Sequence, residues 1–366
     1  MININEAVLE FERLPYLEKP YSSRLWGHPL HSLCSYQSKL KPAIALFLSK
    51  IFVEKGDLVF EPFSGAGTIP FELAQKGIRT VSLDLNSVAY TITSAKLNPK
   101  KKEYILKQIK ELENYIKNSK LSKEDLDYAD DYIKRFYHKE TLNEILKAKK
   151  FFEDKNSDYN FLKSCLLHIL HGNRPYALSR RSHNITPYAP RGDFIYKSLI
   201  KSLIEKVERM YSTPISENFR KGEVFQGSIF DFSYPEKFDK IITSPPFVNS
   251  TRFIFNNRIR MWFNGESYKE QVKRASEFVE NYDITIFKKI MTKLSSLLKD
   301  DGLCIMHLGV VKKIDMGKEL SKYAEEDGFK TIKLIYEDVK GREKFGIKDQ
   351  GATHKHQFLI LKKVKE

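Results

Sequence analysis

A short apolar run, Leu58-Val59-Phe60, that leads into Glu61-Pro62-Phe63-Ser64-Gly65-Ala66-Gly67-Thr68 constrains this chain more than any other stretch. The run has the length and composition of a buried strand. Gly65 and Gly67 let the backbone turn sharply and approach a ligand closely. Ile69-Pro70-Phe71-Glu72-Leu73-Ala74 then reads as a helix that stops at Gly77, and its start offers unpaired N–H groups beside the turn. Ile78 to Leu83 predicts a second strand that ends at Asp84, 17 residues after Gly67. A carboxylate in that place can accept both hydroxyls of a ribose. Strand, glycine turn, helix, strand and terminal acid in this order predict an α/β fold with its ligand at the carboxyl ends of the strands.

A second apolar run, Phe238-Asp239-Lys240-Ile241-Ile242, carries Thr243-Ser244-Pro245-Pro246-Phe247 at its end. Consecutive prolines cannot donate to a sheet ladder, so they end the strand and hold an extended turn. Such a turn can aim the Ser244 hydroxyl and the Pro245 carbonyl as two acceptors at one NH2 group, with Phe247 as a face for a flat ring. An exocyclic amine of a nucleobase meets all three. Accepting both of its hydrogens draws the delocalised lone pair back to nitrogen and makes it a better nucleophile.

The two loops together resemble the amino-directed DNA methyltransferases, which use S-adenosylmethionine. Glu61 to Thr68 looks like that family's cofactor loop, D-P-F-x-G-x-G-T, and Thr243 to Phe247 looks like its catalytic loop, [DNS]-P-P-[YFW]. Tyr36-Gln37-Ser38 and the residues up to Ala45 are similar to the segment that lines the methionine end of the cofactor. The resemblance covers residues 25–98, 222–308 and the final strand. It implies a mostly parallel seven-stranded sheet with one antiparallel strand at its edge. It implies that Tyr36, Gln37, Ser38, Glu61, Pro62, Phe63, Ser64, Gly65, Gly67, Thr68, Asp84 and Leu85 hold the cofactor. Ser244, Pro245, Pro246 and Phe247 form the catalytic loop. The serine form is typical of the N4-cytosine branch, so the implied target is cytosine N4, with adenine N6 as the alternative. An RNA base methyltransferase and an inactive DNA-binding relative are more distant readings.

Two positions depart from the family pattern. Glu61 stands where aspartate is usual, which lengthens its reach to the cofactor's amino group through a water. Gly227 is followed by Ser228 rather than an acid, so either Ser228 or Asp231 would take the cofactor's adenine amine.

The formal net charge of +15 suits a polyanionic partner, and double-stranded DNA is the one that the resemblance implies. A cognate restriction endonuclease is a second implied partner. Cys34, Cys165 and Cys304 show no metal-ligand spacing, and no metal is expected. They predict buried thiols in a cytoplasmic protein. None follows a proline, which excludes the Pro-Cys nucleophile of carbon-5 cytosine enzymes. The start Met1-Ile2-Asn3 has no signal-peptide pattern, and no apolar run approaches the roughly 20 residues that cross a bilayer.

The catalytic core is expected in two pieces, residues 1–98 and 222–366, around an inserted helical domain at 99–221. Lys101 to Asn118, Asp131 to Tyr137, Thr141 to Phe152 and Phe161 to Leu170 have apolar residues three or four apart. His171 to Lys201 holds six Lys or Arg against one acid, Asp193, with prolines and glycines that oppose regular structure. Its Arg174, Tyr176, Arg180, Arg181 and Arg191 are DNA-contact candidates, since arginine suits phosphates and guanine edges. Asn249 and Arg252 after the catalytic loop are two more, while Met261, Trp262 and Phe263 are expected in the core. Beyond them, one helix over Tyr268 to Leu298, a strand over Gly302 to Leu308, a helix near Gly317 to Glu326, and strands over Thr331 to Tyr336 and Gln357 to Leu361 complete an α/β pattern. Lys340 to His356 is expected as a basic hairpin loop.

Overall fold

The computed structural model describes residues 3–23, 26–37, 39–183, 187–248, 253–277, 283–338 and 353–365. Helices α1 (Ile4–Glu12) and α2 (Pro42–Phe52) precede β1 (Leu58–Glu61), and α3 (Thr68–Gln75), β2 (Arg79–Asp84) and α4 (Ser87–Leu97) follow it. Then come α5 (Lys102–Asn118), α6 (Lys123–Asp127), α7 (Asp131–Lys134), α8 (Lys139–Glu153), α9 (Asn160–Ile169) and α10 (Leu199–Met210). The chain returns to the sheet with β3 (Glu223–Gln226) and β4 (Phe238–Thr243), and continues through α11 (Phe253–Phe263), α12 (Tyr268–Lys273) and α13 (Ile286–Leu297). It closes with β5 (Leu298–Val311), β6 (Ile314–Asp315), α14 (Met316–Glu326), β7 (Phe329–Asp338) and β8 (Thr353–Lys363).

The strand order is β3-β2-β1-β4-β5-β8-β7, with the short β6 paired to β5. The first five strands of this order run parallel, and β8 runs antiparallel to both β5 and β7. The expected α/β class is what forms, but the antiparallel strand lies one place inside the edge. Burial explains the placement. Phe358 to Leu361 of β8 are all buried, as a strand covered on both faces requires, whereas β7 exposes Lys330, Lys333, Tyr336 and Asp338.

Alternation along β1 divides its side chains between two cores. Val59 joins Phe47 of α2 and Leu73 of α3, while Leu58 and Phe60 join Ile290 and Leu294 of α13 and Leu320 of α14. The helices between β2 and β3 have their own use for α4. Val88, Ile92 and Ala95 share one core with Ile105 and Leu112 of α5, Leu162 and Leu166 of α9, and Leu203 of α10. Leu199, Leu203, Val207 and Met210 make the buried stripe of α10, a helix that begins within the end of the basic stretch.

Two further expectations change. The span from Tyr268 to Leu298 is not one helix: α12 passes into a short 3-10 turn at Arg274–Glu277 and α13 begins only at Ile286. Asp283 marks the restart, its carboxylate accepting the Thr285 N–H at 2.8 Å. The expected loop at Lys340 to His356 overlaps β8, because His354, Lys355 and His356 are strand residues. Arg342, Lys344 and Lys348 lie outside the described residues. No helix among the described residues is long and apolar enough to cross a membrane.

Candidate active site

Parallel pairing of β1 with β2, from Leu58 opposite Arg79 to Glu61 opposite Ser82, brings the glycine turn beside Asp84. The Gly65 N–H donates to Asp84 Oδ2 at 2.7 Å and the Asn86 N–H to Oδ1 at 2.9 Å. Burial pushes the Asp84 carboxyl up to about 6, even though the N–H groups of Asn86, Gly65 and Leu85 favour its ionised form. Each oxygen keeps a second lone pair for a hydroxyl. Leu85 is half-buried, with its carbonyl accepting from Arg274 Nη2 at 3.2 Å.

The turn is held from several sides. Gly67 has φ +64°, and a Cβ there would lie 2.8 Å from Thr93 Oγ1. Ser64 donates its N–H to Leu83 O at 3.0 Å, and its hydroxyl lies 3.4 Å from Thr93 Oγ1. Lys96 of α4, fully buried, donates to Ala66 O at 2.5 Å. Burial, aided by Lys39, holds its ammonium well below the usual lysine range. Tyr36 packs over the turn, 3.4 Å from where a Gly65 Cβ would stand. Pro62 is buried and Phe63 half-buried beside it.

Gln37 Oε1 and Thr68 Oγ1 are buried here with no hydrogen-bond partner among the described residues. Buried polar atoms seldom stay unpaired, so a close-fitting polar ligand suits this cradle. Ser38 lies outside the described residues. The Gly227 N–H donates to Asp84 O at 3.0 Å, which sets Ser228 beside the end of β2. Ser228 Oγ accepts the Phe230 N–H at 3.2 Å, and Asp231 is exposed on the turn that follows.

Parallel pairing of β1 with β4, with Phe60 opposite Ile241, brings Thr243 within reach of the Glu61 side chain. The Thr243 hydroxyl donates to Glu61 Oε1, which also accepts the Phe63 N–H at 3.2 Å. Burial raises the Glu61 carboxyl well above the ordinary range; hydrogen bonds from Thr243 and Phe63 oppose it, Asp84 adds to it, and the Ser244 N–H opposes it as well. Glu61 has a further use beside the expected reach to the cofactor's amine. The extra methylene relative to aspartate carries this carboxyl across to β4, so Glu61 ties the glycine turn to the catalytic loop.

The partner of Ser244 comes from β5, whose register sets Thr243 opposite Met306. Ser244 Oγ lies 3.0 Å from His307 Nδ1. Burial first, then His356 and Lys41, depress the His307 imidazole well below its usual value, so the ring is neutral at ordinary pH. With its proton on Nε2, Nδ1 accepts the serine proton and leaves both serine lone pairs for an amine. Pro245 is buried and Pro246 half-buried. The Phe247 ring stands 5.8 Å from the His307 ring, over Gly309, where a Cβ would come within 2.7 Å of Phe247. His307 and Gly309 escaped the sequence reading because only strand register brings them to the loop. An alternating pair on the strand after Asp300-Asp301 was their one local signal.

The insert's basic stretch divides. Arg181 and Arg191 are exposed and joined by their backbones, and Arg181 also pairs with Gly172. Arg174 is exposed as well. Arg180 is a strut: Nε donates to Gly192 O at 2.6 Å, Nη1 to Arg135 O at 3.2 Å, and the guanidinium covers the Phe194 ring. Tyr176 has its ring stacked by His168 at 5.7 Å and covered by Arg209 at 3.9 Å, so its faces are already taken. Asn249 and Arg252 lie outside the described residues. Met261, Trp262 and Phe263 are buried, as expected.

Comparison with known proteins agrees with this geometry. Residues 38–225 match the family model of the D12 class N6 adenine-specific DNA methyltransferases, a span that takes in the glycine turn, Asp84 and the inserted helices and ends before Ser244. The chain is 24% identical over 136 residues to the Type II methyltransferase M.MjaII of Methanocaldococcus jannaschii, covering 35% of this chain and 26% of that protein. It thus spans about a quarter of the length of that curated relative. Among solved structures it is similar to a SAM-dependent methyltransferase from Methanosarcina mazei (TM-score 0.38, 9% identity, 86% of this chain and 96% of that one). A methyltransferase from Pyrococcus furiosus is similar too (TM-score 0.37, 10% identity, 99% of both chains). On the extent of the family match the chain belongs to the D12 class N6 adenine-specific DNA methyltransferase family, whose methyl donor is S-adenosylmethionine.

Proposed function

We propose that the protein methylates the exocyclic N6 amine of an adenine flipped out of double-stranded DNA. The observation that carries adenine is the match of residues 38–225 to the D12 class N6 adenine-specific family, and the Glu61 bridge supports the shared amine chemistry by fixing the Ser244 loop against the glycine turn. Bound S-adenosylmethionine supplies an electrophilic methyl group. Asp84 accepts from its ribose, and Gln37 and Thr68 meet its polar groups. Flipping the base costs a few kcal/mol, and Phe247 stacks on the extruded ring. Ser244 Oγ and Pro245 O accept the two amine hydrogens, while the Ser244 hydroxyl donates its hydrogen bond to His307 Nδ1. Holding both reactants in line in this way is worth up to roughly 7 to 11 kcal/mol of barrier. No covalent enzyme adduct is required, and the nitrogen sheds its proton after the methyl arrives. The exposed Arg181 and Arg191 of the insert serve as contacts to the duplex.

Cytosine N4 is the second reading, favoured by serine at 244. The loop presents the same two acceptors to either amine. A restriction–modification setting, with an endonuclease for the same DNA sequence, fits both. Sequencing modified bases in genomic DNA from an expressing host tests the choice: N6-methyladenine at one recurrent sequence is expected, and N4-methylcytosine would reassign the target.

Asp84→Ala should weaken S-adenosylmethionine binding by about 1 to 3 kcal/mol in calorimetry, because it removes hydrogen bonds to a charged acceptor. Wild-type affinity should also fall as pH drops through about 6, where Asp84 takes up its proton. Stability runs the other way. The raised value means that the folded state holds this proton more tightly than the unfolded chain, so Asp84's contribution is full below the unfolded value and is lost as pH rises through about 6. A pH-independent affinity between 5 and 7 would remove Asp84 from the ribose site.

A further inference from the structure

A polar cavity of about 330 Å³ lies beneath the insert's arginine loop, between Ser32–Lys39, the end of α9, His171–Ala177 and α10. No residue of the glycine turn, nor Asp84, nor any residue from Ser244 to Phe247 lines it. Lys39, Lys206, Arg174, Arg209, His168 and His171 do, without a single aspartate or glutamate. Lys206 is almost fully buried, its Nζ bound to Ser32 O at 2.6 Å, and Lys39 Nζ is bound to His31 O at 2.6 Å. One carbonyl occupies one of the three donors on each ammonium. Buried cations without a counter-charge are costly, and an anion in the cavity removes that cost.

The two imidazoles belong to the wall of the cavity. His168 Nδ1 accepts the Ser35 N–H at 3.2 Å and its Nε2 lies 3.4 Å from the Tyr176 hydroxyl, so this ring is held by the wall itself. His171 Nδ1 donates to His183 O at 3.2 Å, and its buried Nε2 has no hydrogen-bond partner among the described residues. Burial first, then Arg260, holds the His171 ring well below its usual value, so the donors that face an anion here are those of the lysines and arginines. Position identifies the source. Gly172, in the cavity wall, pairs with Arg181, and Arg181 pairs with Arg191, so the cavity opens at the foot of the two exposed arginines.

We propose that this cavity is a phosphate site that seats a backbone phosphate of the DNA substrate. The inference rests on DNA being the substrate. It is tested on the full-length chain with Arg209→Ala at the exposed rim and with Arg209→Ala combined with Lys206→Met, each checked for folding by thermal unfolding. Duplex DNA binding is measured across a salt series, beside calorimetry with S-adenosylmethionine and with inorganic phosphate.

Arg209→Ala should weaken DNA binding several-fold, and the double variant ten-fold or more. The double variant should also flatten the log–log salt slope by about 0.9, the value of one lost phosphate. Cofactor affinity should stay unchanged. Retained DNA affinity and slope in the folded variants overturn the proposal. Loss of inorganic phosphate binding alone would make the cavity a free-anion site, and loss of cofactor affinity alone would give it to the cofactor's carboxylate; both overturn it. A wild-type protein that binds no DNA defeats the substrate reading itself, a failure distinct from an unchanged variant of a protein that does bind.

Discussion

Ser244→Ala should lower methyl transfer by about 10- to 1,000-fold, the scale on which loss of one positioned hydrogen-bonding group acts, while S-adenosylmethionine still binds. The alanine leaves Pro245 O as the single amine acceptor from this pair, so the nitrogen lone pair stays delocalised in the ring. His307→Gln should lower the rate in the same direction, because the imidazole lies 3.0 Å from Ser244 Oγ and controls where the serine proton points. The double variant should be little worse than Ser244→Ala. Two groups that act through one hydroxyl are not additive. Single-turnover rates that multiply across the double variant would separate His307 from the serine and leave it a packing residue.

Gly67→Val should have the largest effect on stability. The residue sits at φ +64°, and its absent Cβ would fall 2.8 Å from Thr93 Oγ1 and 3.1 Å from the Thr93 Cα. Left-handed backbone costs an ordinary residue about 1 to 2 kcal/mol, and overpacking against a helix backbone adds about 1 to 3 kcal/mol. A loss of roughly 2 to 5 kcal/mol in denaturant unfolding is therefore expected, together with loss of cofactor binding. Gly65→Ala, with 3.4 Å to the edge of the Tyr36 ring, should cost less. Equal stabilities of the two variants would contradict the close contact of the turn with α4.

What the sequence made legible were features encoded by neighbours in the chain. Leu58 to Asp84 carries strand, turn, helix and strand in one unbroken run, and the structure keeps every element of it. The apolar spacing of α5, α8 and α9 was equally local. Features set by register were not legible. The bond between Glu61 and Thr243 was hidden because nothing nearby in sequence says that the two side chains meet. His307 and Gly309 reach Ser244 and Phe247 through the pairing of β4 with β5. Likewise the place of β8 inside the edge follows from which strand can be covered on both faces, a property of the whole sheet. Arg180 shows the same limit in the insert: its composition suited DNA, but the carbonyls of Gly192 and Arg135 hold its guanidinium.

Methyl transfer by the purified protein is the most direct test of the central claim that the Ser244 loop presents an exocyclic amine of a DNA base. The protein is incubated with duplex DNA and methyl-labelled S-adenosylmethionine, and the DNA is digested to nucleosides for mass spectrometry. One labelled methyl on an exocyclic nitrogen, as N6-methyladenine, is the predicted product, and it should be lost with Ser244→Ala. A protein that binds the cofactor yet leaves DNA unlabelled, labels only RNA, or places the methyl on a ring carbon would contradict the account.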